Sequence, residues 1–185
     1  LTRDISRLEC SRAPIVARIA DADGRAGTLL GTYLALAMAA DSVGGADGIA
    51  RKTVEYLKER VQFDRVVATF QALRHRAADL IGHITTQDAL LEQAVQCIDN
   101  GSPDAAMWAR LAKAGASEAF VFVATDCIVL HGGVGHTWEY DPQIYIKRAR
   151  LNESLLCNNR ALRDASVDLL DEALDQGRTT TEIDW

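Results

Sequence analysis

Asp99-Asn100-Gly101-Ser102-Pro103-Asp104 is a helix stop followed at once by a helix start. Asn100-Gly101 ends one helix. Ser102 then offers a hydroxyl cap, Pro103 suits the first helical position, and Asp104 puts an acid beside the positive end of the next helix dipole. Working back, Phe70, Leu73, Leu80, Ile84, Leu91, Val95 and Ile98 recur at helical spacing, which predicts a helix from about Val66 to Asp99. Working forward, a second helix runs to about Leu130 and stops at Gly132-Gly133.

The same reading extends to both ends. From about Asp23 to Arg60, Leu30, Leu34, Ala37 and Met38 line one strip of a helix, and Leu29, Tyr33, Leu36 and Ala40 line another. A helix apolar nearly all round is a buried one, here by other subunits as well as by its own fold. Asp141-Pro142 opens a further helix, which passes an arginine-rich turn, breaks at Asn158-Asn159 and ends at Gly177. Residues 3 to 18 are the only strand material: Ile5, Arg7 and Glu9 alternate with Ser6, Leu8 and Cys10 before Pro14 interrupts. The expected fold is all-α, an up-down helical bundle over residues 23–177. A β remnant or leader precedes it at 1–22, and a polar, frayed tail follows at 178–185. The sequence opens on Leu1 with no Met, as a chain that was processed or whose earlier part stands outside it.

A net charge of -6 argues against a nucleic-acid or anionic-membrane partner. Asp, Glu or Gly break the apolar runs before they could span a bilayer. Cys10, Cys97, Cys127 and Cys157 form no CxxC pair, and three of them sit in apolar helical stretches, so a zinc or redox motif is unsupported and a reducing, cytoplasmic setting is expected.

Two stretches carry possible chemistry. One runs from Tyr56 through Arg60, Gln62, Phe63, Asp64 and Arg65 to Phe70-Gln71, His75 and Asp79. The other is His131-Gly132-Gly133-Val134-Gly135-His136-Thr137-Trp138-Glu139, followed by Lys147-Arg148-Ala149-Arg150. Each has a bland reading, a solvated helix end and a helix stop. Gly132 to Gly135 lacks the βαβ context of a dinucleotide fingerprint. The functional reading is a glycine turn whose backbone N–H groups approach an anion, with Arg60 as a fixed positive donor.

In combination the two stretches resemble the C-terminal helical domain of the acyl-CoA dehydrogenase family. That domain carries Tyr-x-x-x-Arg-x-Gln-Phe-Gly, then Phe-Gln-x-x-x-His-x-x-Ala-Asp, a Gln-x-x-Gly-Gly-x-Gly turn with Thr-x-Glu, and a basic helix. The chain matches at Tyr56, Arg60, Gln62, Phe63, Phe70, Gln71, His75, Ala78 and Asp79, then at Gly132, Gly133, Gly135, Thr137 and Glu139. The likeness spans about residues 1 to 175, and Trp138 looks most like bacterial members. It implies FAD as cofactor, held with a neighbouring subunit, and Arg60, Gln62, Phe63, Val129, Gly132 and Gly133 as its contacts. His75 and Asp79 read as structural, with no metal site.

The family pattern also breaks. Val129 replaces the family Gln at the turn, Asp64 replaces the Gly after Gln-Phe, and Val66-Val67 stands where a Pro is usual. The two family places for the catalytic Glu fall at Leu34 and at Leu156 or Cys157. Asp41 and Glu153 are the nearest acids, as displaced bases or as solvated or capping groups. The resemblance therefore implies a subunit or fragment serving FAD-dependent α,β-dehydrogenation of an acyl-CoA thioester without its own base. Its partner would be a second acyl-CoA dehydrogenase subunit or further copies of itself, as in bacterial heterotetramers, some acting on steroid side-chain thioesters. The alternatives are a complete homo-oligomeric dehydrogenase whose N-terminal half lies outside this sequence, and a non-catalytic helical interaction subunit.

Overall fold

The computed structural model describes residues 6, 7, 9–17, 20, 21, 23–179, 182 and 183. Helix α1 spans Arg25–Glu59 and leads into a two-stranded hairpin, β1 Val61–Gln62 and β2 Arg65–Val66. A 3-10 turn at Val67–Thr69 precedes α2 (Gln71–Asp99), and α3 follows at Ala105–His131. A second 3-10 turn at Gly132–His136 leads to α4 (Pro142–Ser154) and α5 (Asn159–Asp175). The expected all-helical bundle is present.

Between residues 6 and 17 the described positions hold a turn at Ser11–Arg12 and no strand; residues 3–5, 8 and 18 lie outside the described residues. A strand needs a paired neighbour, and among the described residues the only pairing is within the β1–β2 hairpin. Asp21 instead caps α1. Its carboxylate accepts the N–H groups of Ala26 and Gly27, each at 2.9 Å, and these bonds hold its pKa below the usual carboxylate range.

The centre of the bundle is α3, which packs on α1, α2, α4 and α5. Small residues let the backbones approach: Ala39, Ala46 and Ala50 of α1 share a core with Ala112, Ala116, Phe120, Val123 and Ala124 of α3. On α2, Leu80 and Ile84 are buried as expected, but Ala94 and Cys97 take the core positions assigned to Val95 and Ile98. Among the described residues, α1 and α3 are both long and apolar enough to cross a membrane, so the expectation that such runs break too soon does not hold. For α3, contact with four other helices accounts for that character.

The C-terminal tail is held down at its described positions. Arg178 donates to both carboxylate oxygens of buried Asp104, at 2.8 and 2.6 Å, and Ile183 is buried in the core. Helix α3 starts two residues later than expected: Pro103 lies before the helix, and Asp104 stands at the cap position with its carboxylate bound to a guanidinium and not to the helix N–H groups. The hydroxyl of Ser102 accepts the Asp104 backbone N–H at 3.1 Å.

Candidate functional site

The end of α1 and the end of α3 meet through aromatic rings. Tyr56, in the last turn of α1, stacks on His131 with centroids 4.3 Å apart and planes 13° from parallel. Its hydroxyl donates to the His131 carbonyl at 3.2 Å, and Tyr140 meets both rings edge-on. Arg60, the residue after α1, places its guanidinium 5.6 Å from the Tyr56 ring centroid and is exposed. His131 is buried, and its Nδ1 donates to the Cys127 carbonyl at 2.8 Å. Burial lowers the His131 pKa, with the Cys127 carbonyl and the charge of Asp141 pulling the other way. A neutral ring thus sits directly before the glycine turn.

Gly132 has φ 68 and ψ -145, a conformation essentially confined to glycine. A Cβ at Gly135 would fall 2.5 Å from the Ile128 carbonyl, so the turn doubles back tightly on α3. Gly133 is exposed, and a Cβ there would meet nothing within 4 Å, leaving its backbone open to approach. Beyond the turn, the Lys147 ammonium lies 4.4 Å from the Trp138 ring centroid. Val129, one turn before the glycines, is 55% exposed and offers no hydrogen-bonding group.

On the other side, the β1–β2 hairpin turns through Phe63 (φ 54) and Asp64 (φ 57). Two consecutive positive φ values make the type I′ turn that matches hairpin twist, usually filled by Asn-Gly or Asp-Gly. This explains a glycine at position 64 in the family pattern; Asp tolerates the conformation next best. Phe63 is 88% exposed at the tip. Gln62 is exposed with its amide turned back to the Val61 carbonyl at 2.7 Å.

The sequence-assigned positions thus gather at one end of the bundle: Arg60, Gln62 and Phe63 around the hairpin, and Gly132 and Gly133 joined to them through the Tyr56–His131 contact. An exposed guanidinium, an open glycine backbone and an exposed ring are the groups a flavin dinucleotide requires, and at that level the residues fit FAD. Asp64, next to Phe63 in the chain, adds a carboxylate that would oppose phosphates placed near it.

The candidate bases lie elsewhere and are engaged. Asp41, half-buried in mid-α1, pairs bidentately with Arg148 of α4, its Oδ2 3.0 Å from Nε, and accepts from Asn152 Nδ2 at 2.6 Å. Asp41 raises the pKa of Arg148. Glu153 pairs with Arg150 at 3.0 Å. Leu34 is 42% exposed on α1, and Leu156 is 50% exposed with φ 65 in the corner between α4 and α5. That conformation costs an ordinary residue about 1–2 kcal/mol. Cys157 also lies in this corner rather than in a helix, while Cys97 and Cys127 are buried free thiols. Burial pushes the Cys127 thiol up to about 11, which makes it inert.

His75 and Asp79 are exposed on α2, and no cluster of potential metal ligands exists among the described residues. Sequence reasoning missed the Tyr56–His131–Tyr140 contact, Asn152 beside Asp41, and a buried lysine, Lys113. The lysine had a signal: a lone cation within Leu111-Ala112-Lys113-Ala114-Gly115-Ala116.

Residues 32–159 match the family described as acyl-CoA dehydrogenase, C-terminal domain. Acyl-CoA dehydrogenase IpdE2 of Mycolicibacterium smegmatis is 37% identical over 156 residues, which are 84% of this chain and 47% of that protein. The Tcur3481-Tcur3483 steroid ACAD superposes with a TM-score of 0.71 at 33% identity, over 76% of this chain and 39% of that one. Butyryl-CoA dehydrogenase from Megasphaera elsdenii shares the fold, with a TM-score of 0.74 at 24% identity over 82% of this chain and 38% of that one. The chain spans less than half the length of these curated relatives. The family match and the bundle that places its motif residues at one end agree: this chain belongs to the acyl-CoA dehydrogenase family, as its C-terminal helical domain.

Proposed function

We propose that this chain serves FAD-dependent α,β-dehydrogenation of an acyl-CoA thioester, walling a flavin site shared with a partner subunit while contributing no base of its own. The observation that carries this reading is the joining of Arg60 and the Gly132–Gly133 turn through Tyr56 and His131, with no acid at either family base place, Leu34 and Leu156 or Cys157. FAD, when bound, takes the hydride from the thioester β carbon. Arg60 would neutralise a phosphate, the Gly133 backbone would lie against the nucleotide, and Phe63 would cover a ring face. Removal of the α proton needs a carboxylate, which the partner supplies, since Asp41 and Glu153 are held in ion pairs.

Partner contact is supported by the first turns of α1, where Leu29, Leu30, Tyr33 and Leu34 are 56%, 62%, 51% and 42% exposed. Leu34 and Arg60 lie about 39 Å apart along one helix, so they serve different active sites in an oligomer. A steroid thioester is the favoured substrate class, following the steroid ACAD at 33% identity. A reducing cytoplasm suits the buried free thiols. Co-purification with proteins encoded beside it should yield a yellow complex that dehydrogenates acyl- or steroid-CoA thioesters. A protein that stays alone and colourless refutes the reading and favours the non-catalytic interaction subunit, to which Val129 and Asp64 already point.

A further inference from the structure

Lys113 lies in the middle of α3 with none of its surface exposed. A buried ammonium must spend all three of its protons on acceptors. Here those acceptors flank one corner of the fold: the Glu153 carbonyl at 3.2 Å, the Cys157 carbonyl at 2.8 Å and Asn159 Oδ1 at 3.3 Å. Ser117, one turn further along α3, donates to the same Asn159 oxygen at 2.9 Å. The Glu153 carbonyl belongs to the last turn of α4, where carbonyls lack helical partners and the dipole is negative, so a cation there satisfies both needs. The contacts fall at 153, 157 and 159, on either side of Leu156. Between them the chain leaves α4, takes φ 65 at Leu156, and enters α5 through Asn158, whose side chain accepts the Ala161 N–H at 2.9 Å.

We infer that Lys113 is a positioning residue: from inside α3 it clamps the α4–α5 corner so that residue 156 is presented outward to the acyl group. This rests on the proposed function, because the second place for the family base falls in this corner, at Leu156 or Cys157. Beyond the local cap at Asn158, the corner owes part of its shape to α3. Leu155-Leu156-Cys157 contains no glycine to favour a positive φ, and Leu156 is half exposed, so its own packing fixes it only in part.

The test uses the chain purified with its partner, as wild type, Lys113→Met, Lys113→Arg and Asn159→Ala. Hydrogen exchange at the amides of 155–158 should accelerate about tenfold or more in Lys113→Met, with α1 and the rest of α3 little changed, and Lys113→Arg should restore part of the protection. Should Lys113→Met not accumulate folded, Asn159→Ala reads the same clamp with a smaller acceleration. Uniform acceleration across all helices, or an unchanged corner, overturns the inference and leaves Lys113 a packing residue. In the second arm, thioester KM and kcat are measured for Lys113→Met, Leu156→Ala and the double variant. Positioning predicts that Lys113→Met raises KM several-fold and adds little once Leu156 is gone; strictly multiplicative losses overturn it. A complex that binds no thioester refutes the proposed function and the acyl-facing role together, while the exchange data still decide whether Lys113 holds the corner.

Discussion

Gly132→Ala and Gly133→Ala, adjacent substitutions of one methyl each, should fail in different ways. At Gly132 the backbone holds φ 68 and ψ -145, yet a Cβ there meets nothing within 4 Å, so the whole cost is conformational. Residues forced into that region lose about 1–3 kcal/mol. For a chain of this size that is about 2–12 °C in Tm. Gly133 has no positive φ and equally open surroundings, so alanine should leave stability unchanged or raise it by about 0.4–1 kcal/mol through the unfolded chain. If its backbone borders the flavin, however, the methyl intrudes where the nucleotide lies. Thermal unfolding and the flavin-to-protein absorbance ratio of the purified complex separate the two. Gly132→Ala should lower Tm, while Gly133→Ala should keep Tm and lose at least half its flavin. A Gly133→Ala complex with full flavin content refutes the placement of the turn against the cofactor. An unchanged Tm for Gly132→Ala refutes the backbone argument.

Asp41→Asn breaks a partly exposed pair, so it should cost about 1–3 kcal/mol, less than a fully buried pair; a folded variant whose kcat falls a hundredfold or more would make Asp41 the base after all. In a complex whose partner base has been removed, Leu156→Glu should restore dehydrogenation by about a hundredfold or more if position 156 faces the α proton, and an unchanged rate in a flavin-loaded complex removes it from the site. His131 gives a pH signature. Its folded pKa is lowered, so as pH falls through about 6.5 the unfolded chain takes a proton the folded one refuses, and stability drops until the lowered value is reached. The Tm advantage of wild type over His131→Gln should therefore shrink as pH falls through about 6.5; a constant difference contradicts a buried neutral ring. Tyr56→Phe loses one hydrogen bond to the His131 carbonyl, for about 0.5–1.5 kcal/mol of stability, and flavin content should fall with it if this contact aligns the two walls.

Helix limits were legible because their signals are local. The stop and restart around Asn100–Asp104 fall where α2 ends and α3 begins, although the helix starts at Ala105 and not at Pro103, and the Asn158–Asn159 break falls where α5 begins. What depended on distant partners was not legible. The partners of Asp41, Arg148 and Asn152, stand more than a hundred residues on, and nothing local in the sequence announces them. Arg178 reads as part of a frayed tail until Asp104 meets it. The hairpin tip was hidden for another reason: Phe63-Asp64 is not a usual pair for two positive φ values, so propensity argued against the turn that the flanking chain imposes.

The two apolar helices show why composition alone could not settle the site. Helices α1 and α3 both carry apolar side chains on nearly every face, and both have the length to cross a bilayer. In α3 the chain supplies the cover itself, since α1, α2, α4 and α5 surround it. In α1 cover begins only at Thr32 and Ala35, and Leu29, Leu30, Tyr33 and Leu34 stay in water. Hydropathy records the demand for burial and is silent on who meets it; chain order decides that for α3 and leaves it open for α1. The uncovered turns contain Leu34, a place to which the family resemblance assigns a carboxylate, so on the proposed reading that place and the surface that needs a neighbour coincide. On the proposed reading, a partner seated there would bury the leucines and bring a carboxylate in a single contact.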